Sequence, residues 1–135
     1  MKMSLEELEV SKQCQAEAEQ LYRSGKYHCA EAVLEAVRRR FAAHLPESIV
    51  GSVSGFGGGS GSGCICGAVS GGTVALGLIQ TDKKVTARLT KELHRWFKEK
   101  YVVTCCNIIR QEHKGVFPVL TGEVAGKVAE MLAGK

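Results

Sequence analysis

Residues 55–79 read GFGGGSGSGCICGAVSGGTVALGLI. Glycine dominates the first part, up to Gly63, so neither helix nor strand holds there by propensity; a loop or a close backbone approach is expected. Beyond Cys66 the residues turn small and apolar without a strand's alternation. The apolar stretch Ile65–Ile79 is about 15 residues, short of the roughly 18 needed for a membrane span, and predicts a buried helix from Cys66 to Ile79. Cys64 and Cys66 thus fall where loop becomes helix. The partial positive charge of a helix start favours a thiolate there, which suits a nucleophile or a metal ligand.

Working towards the N-terminus, the next apolar periodicity is Cys29, Val33, Ala36, Val37 and Phe41, one face of a helix starting near Lys26 or Tyr27. Ser4 and Glu7 form a capping-box pattern that opens a first helix over 4–24, with Gly25 stopping it. Pro46 ends the connection after the second helix and can start a short one in PESIVGSVSG. Towards the C-terminus, Thr81 or Asp82 caps DKKVTARLTKELHRWFKEKY, whose Val85, Leu89, Leu93, Trp96 and Phe97 make an apolar stripe. CCNIIRQEH reads as a shorter helix, and Thr121 as the cap of GEVAGKVAEMLAG. The expectation is an all-α, compact bundle of five to six helices, with the glycine-rich loop before the third long helix.

The 135 residues, 44% hydrophobic and 24% charged, suit a single domain over 1–135. The net charge of +4 is too small to argue for nucleic acid. Charge is uneven, however. Glu6, Glu7, Glu9, Glu17 and Glu19 lie early, whereas Lys83, Lys84, Arg88, Lys91, Arg95, Lys98 and Lys100 form a basic segment, and these opposite surfaces suggest a homodimer. The N-terminus MKMSLEELEVSKQ carries glutamates and serines where a signal peptide has an apolar core. A cytoplasmic, reducing setting without membrane insertion is therefore expected, with cysteines acting as ligands, redox thiols or core.

No frame between Gly55 and Gly72 completes G-x-G-x-x-G, and no Lys-Ser or Lys-Thr follows the loop, so neither nucleotide motif is present. Cys14 shares a helical face with Val10, Ala18 and Leu21 and reads as core. Cys29 reads equally as core or as ligand. Cys105 and Cys106 are adjacent; on a regular helix they point about 100° apart, and a vicinal disulfide is strained. Neither C-x-C nor C-C is the C-x-x-C spacing of zinc ribbons and thioredoxins. Of the scattered histidines, His28 beside Cys29 is the strongest ligand candidate, followed by His113.

HCAEAVLEAV around Cys29, then GFGGG, CGAVSGG and ALGL, then Cys105 and Cys106 ahead of LTGEVA, resemble the C_GCAxxG_C_C family of redox-active proteins over Tyr27–Ala129. The resemblance implies that the family's first cysteine is Cys29, its CGAxxG cysteine Cys66, and its third Cys105 or Cys106. A fourth falls near Phe117, where this chain has none; either Cys64 or the second of the Cys105–Cys106 pair replaces it, or part of the site is lost. It also implies kinship with the iron–sulfur segment of split-Soret cytochromes, whereas haem is disfavoured because C-x-x-C-H is absent.

Three functions are then in contention. The first is an electron-transfer protein holding an iron–sulfur cluster through Cys29, Cys64 or Cys66, and Cys105 or Cys106, with Gly63 and Gly67 letting the backbone approach the cofactor and a redox partner protein completing the circuit. The second is a thiol–disulfide redox enzyme in which Cys66 attacks and another cysteine resolves. The third is a helical metal-handling or interaction protein with structural cysteines.

Overall fold

The computed structural model describes residues 4–134 and is all-helical. Its elements are α1 Leu5–Arg23, α2 Cys29–Phe41, α3 Ser48–Gly51, α4 Gly67–Ile79, α5 Lys83–Tyr101, α6 Cys106–Glu112 and α7 Phe117–Ala133. That is one helix more than expected, because α3 and α6 are both separate short elements. Among the described residues there is no strand, only an isolated antiparallel bridge between Ile65 and Cys105.

Local chemistry sets most boundaries. Ser4 and Glu7 close the capping box, Glu7 N–H donating to Ser4 Oγ and Ser4 N–H to Glu7 Oε1. Asp82 caps α5 by accepting from Lys84 N–H at 2.8 Å. The start of α2 is later than the periodicity suggests: His28 N–H donates to Glu31 Oε1, which makes His28 the cap and Cys29 the first helical residue. Thr121 is not a cap. α7 begins a turn earlier at Phe117, because Pro118 suits a first-turn position, and Thr121 lies fully buried inside it.

The apolar α7 is central, flanked by α1, α2 and α4, with α5 closing against α4. From α5, Leu89, Leu93, Phe97 and Tyr101 are buried at successive turns. α2 and α4 cross in near backbone contact, since a Cβ on Gly71 would lie 2.5 Å from the Ala30 carbonyl oxygen. α2 also buries a carboxylate. Burial alone raises the Glu35 pKa, but Arg38 at 2.8 Å and Arg39 at 2.6 Å outweigh it and hold the group below the ordinary carboxylate range.

The glycine-rich segment is ordered by handedness rather than left irregular. Gly58, Gly59, Ser60 and Gly61 have consecutive φ values of 66°, 67°, 61° and 70°, followed by Gly63 at 72°. Cys64 N–H donates to Gly59 O at 3.1 Å across the turn. Left-handed backbone crowds a Cβ against the next carbonyl at about 1–2 kcal/mol per residue, so glycine is what permits several in a row.

Candidate functional site

The left-handed turn delivers the chain to a short pairing of two segments. Cys66 N–H donates to Thr104 O at 2.8 Å and Cys106 N–H to Cys64 O at 2.5 Å, flanking the Ile65–Cys105 bridge. The second segment leaves α5 through Val102, whose φ of 74° and ψ of −45° with Val103 N–H donating to Tyr101 O form a classic γ-turn, a strained conformation for a β-branched residue.

This pairing places the cysteines differently. Cys106 is the first residue of α6 and is buried, while the Cys105 thiol points to the Gly63 carbonyl at 3.4 Å and is only partly buried. Cys66 caps α4 and is fully buried. Cys29, the first residue of α2, is partly buried, Cys64 is exposed, and Cys14 lies in the core.

A cavity of about 310 Å³ is lined by Tyr22, His28, Cys29, Gly58, Gly67, Cys106, Arg110 and Phe117. Cys66 lies just behind Gly67, close enough that Cys29, Cys66 and Cys106 perturb one another electrostatically. Burial first, then the neighbouring Cys29 and Cys106 thiols, push the Cys66 thiol up to about 12, against the Ala68 and Val69 amides that favour its thiolate. Burial likewise raises Cys29; Thr121 and Arg110 oppose it, and Cys106 adds to it. The Thr121 hydroxyl is buried without a hydrogen-bond partner, so it is free to donate to a Cys29 thiolate.

The cavity lining contains no carboxylate. Its fixed cation is Arg110, which donates from Nη2 to Cys106 Sγ at 3.6 Å and lies 5.2 Å from the centre of the Phe117 ring. Tyr22, at the end of α1, feels all three thiols and Arg110, although burial dominates the upward shift of its hydroxyl.

Of the sequence candidates, Cys29, Cys66, Cys106, Gly67 and His28 therefore gather here. Cys64, which is exposed, and Cys105, which is partly buried, do not line the cavity, and Gly63 packs against Asn107. His113 sits instead against the Tyr101 ring, at 5.9 Å. Tyr22, Arg110 and Thr121 carry no motif. Arg110 alone was recoverable, as the residue one helical turn after Cys106. Among the described residues no three His, Cys, Asp or Glu side chains stand at metal-ligand spacing, and no helix is long and apolar enough to cross a membrane.

Comparison with known proteins gives one result. The family model described as "Putative redox-active protein (C_GCAxxG_C_C)" matches residues 27–131, a span that includes Cys29, Cys66 and Cys106 and every cavity-lining residue but Tyr22. No curated protein and no solved structure matches.

Proposed function

The chain belongs to the C_GCAxxG_C_C family, and from that premise we propose that it is a small redox protein whose Cys29, Cys66 and Cys106 hold an iron–sulfur cluster in the cavity. The observation that carries the reading is a space free of carboxylates lined by the Cys29 and Cys106 thiols, with Cys66 buried next to its Gly67 wall, each cysteine at or next to a helix start.

The donor chemistry fits. Sulfur-only donors select iron–sulfur or zinc over harder cations. A thiol held near 12 is ionised to only about one part in 10⁵ at neutral pH, which makes Cys66 a poor free nucleophile; a metal displaces the proton outright. The three sulfurs do not stand at ligand spacing here, so binding a cluster requires them to draw together. A bound cluster supplies one-electron redox chemistry. The chain's own part is to bind through the three sulfurs, donate from Thr121 and Arg110 towards Cys29 and Cys106, and limit water on the Cys66 side by burial.

A second reading is a Cys29–Cys66 dithiol couple, favoured by the backbone contact of α2 and α4 at Ala30 and Gly71. Both readings include a redox partner protein, a cytoplasmic setting and a homodimer. Anaerobic purification with iron, sulfide and zinc analysis separates them. Iron and sulfide that fall in Cys29→Ser, Cys66→Ser and Cys106→Ser but persist in Cys14→Ala and Cys64→Ser support the cluster. A colourless protein free of iron and sulfide, with a Cys29–Cys66 disulfide on oxidation, supports the couple instead; zinc without either sinks both.

A further inference from the structure

Cys64 is left over by the cavity, exposed, and held only by a long 3.8 Å contact of its sulfur with the Ser62 carbonyl. Its carbonyl accepts from Cys106 N–H at 2.5 Å. Adding the Cα···O and N–Cα lengths of the two residues to that hydrogen bond bounds their Cα separation at about 6.4 Å, inside the usual disulfide range. Both residues flank the Ile65–Cys105 bridge one step out, directly opposite one another across the pairing. Gly59, lacking a Cβ, leaves the space between them open: a Cβ there would lie 2.9 Å from Cys106 Cβ and 2.5 Å from Cys64 N.

We propose that Cys64 is a thiol-modification site that captures a low-molecular-weight disulfide and passes the oxidation to Cys106, closing a Cys64–Cys106 disulfide. In the first step the Cys64 thiolate attacks one sulfur of the small disulfide; a mixed disulfide forms and one small thiolate leaves. In the second the Cys106 thiolate attacks the Cys64 sulfur, the protein disulfide forms, and the second small thiolate leaves. Two electrons pass from the two cysteines to the small disulfide, and the two protons released convert the departing thiolates to thiols. Cys105 is the neighbouring competitor, but its thiol faces the other way, onto Gly63. The consequence is removal of Cys106 from the cavity, so the exposed thiol reports the redox state of the solution to the buried site. The linkage requires a free Cys106 thiol and so belongs to the metal-free protein; it does not rest on the cluster reading.

The test treats metal-free, reduced protein with oxidised glutathione and maps cross-links by non-reducing peptide mass spectrometry. The expected result is a link between the peptide holding Cys64 and Cys66 and the peptide holding Cys105 and Cys106. It persists in Cys66→Ser and Cys105→Ser, and disappears in Cys64→Ser. In Cys106→Ser, Cys64 accumulates as the mixed disulfide with glutathione. Circular dichroism of Cys106→Ser guards against misfolding, and Cys64→Ser, at an exposed position, gives the same answer independently. A link that survives loss of Cys64, or wild-type protein that stops at the mixed disulfide or does not react, overturns the proposal. Failure of the cluster reading shows in iron and sulfide content instead, and the two are read separately.

Discussion

Phe117 stands at the first residue of α7 as Cys29 stands at the first residue of α2, and the two line the same cavity. Phe117, near which the family resemblance puts a late cysteine, thus brings a ring to the site, and Arg110 rests on it. Phe117→Cys adds a fourth sulfur to the cavity. The expected outcome is slower loss of iron to a chelator, alongside a stability loss of about 2 kcal/mol from the missing ring. Unchanged iron loss argues against a cluster in this cavity.

Alkaline pH separates the buried thiols from the rest. Cys14 and Cys66 both rise from an ordinary value of 9.0 to about 12 through burial. Above pH 9 the unfolded chain releases these protons while the native chain keeps them, so stability is complete below that pH and falls as pH rises towards 12. Cys14→Ala removes one such group. It should cost about 1–2 kcal/mol at neutral pH, leave metal content unchanged, and reduce the alkaline slope by about 1.4 kcal/mol per pH unit, as measured by urea titrations across the range.

Two glycines of α4 should respond oppositely to alanine. At Gly71 the new methyl meets Ala30 O at 2.5 Å and Ala30 Cα at 2.7 Å, backbone that cannot swing aside, so Gly71→Ala should destabilise by about 3 kcal/mol. At Gly77 the nearest atom is Thr86 Cγ2 at 3.8 Å, so Gly77→Ala should stabilise by about 0.5–1 kcal/mol through helix propensity. Thermal melts of the pair decide it.

Val102 is 75% exposed and has φ of 74°, so glycine there loses little burial and relieves strain. Val102→Gly should raise stability by about 1 kcal/mol. If it lowers stability instead, the γ-turn is not strained in solution.

Association of two copies is tested by sedimentation at low and high salt. Glu17 and Glu19 already pair with Arg39, Arg40 and Arg23 of the same chain, which leaves Glu6 and Glu9 to face a basic α5 of the second copy. A dimer at low salt that weakens at high salt is expected. A monomer in both conditions removes the dimer.

The helices were legible because their signals are local: the Ser4 capping box, the Asp82 cap and the α5 stripe each involve residues within a turn or two. Cys66 was legible as a residue at a helix start, whereas Cys29 was read only on an apolar face of a helix expected to begin near Lys26 or Tyr27. The choice of Cys106 over Cys105 was not, because it depends on a backbone pairing between segments about 40 residues apart. The Gly58–Gly61 turn was read as irregular because composition announces freedom without saying which hand the chain takes. Thr121 was mistaken for a cap because Pro118 moves the helix start forward.

The starts of α2, α4 and α7 surround the same volume, with Arg110 beside them and no carboxylate in its lining. Each contributes the positive end of its peptide dipoles. Added negative charge is therefore welcomed there, so a centre seated in this volume accepts an electron more readily than the same centre in water. Unfolding or loosening any one of the three helices would then announce itself as a more negative midpoint potential, before any ligand is lost.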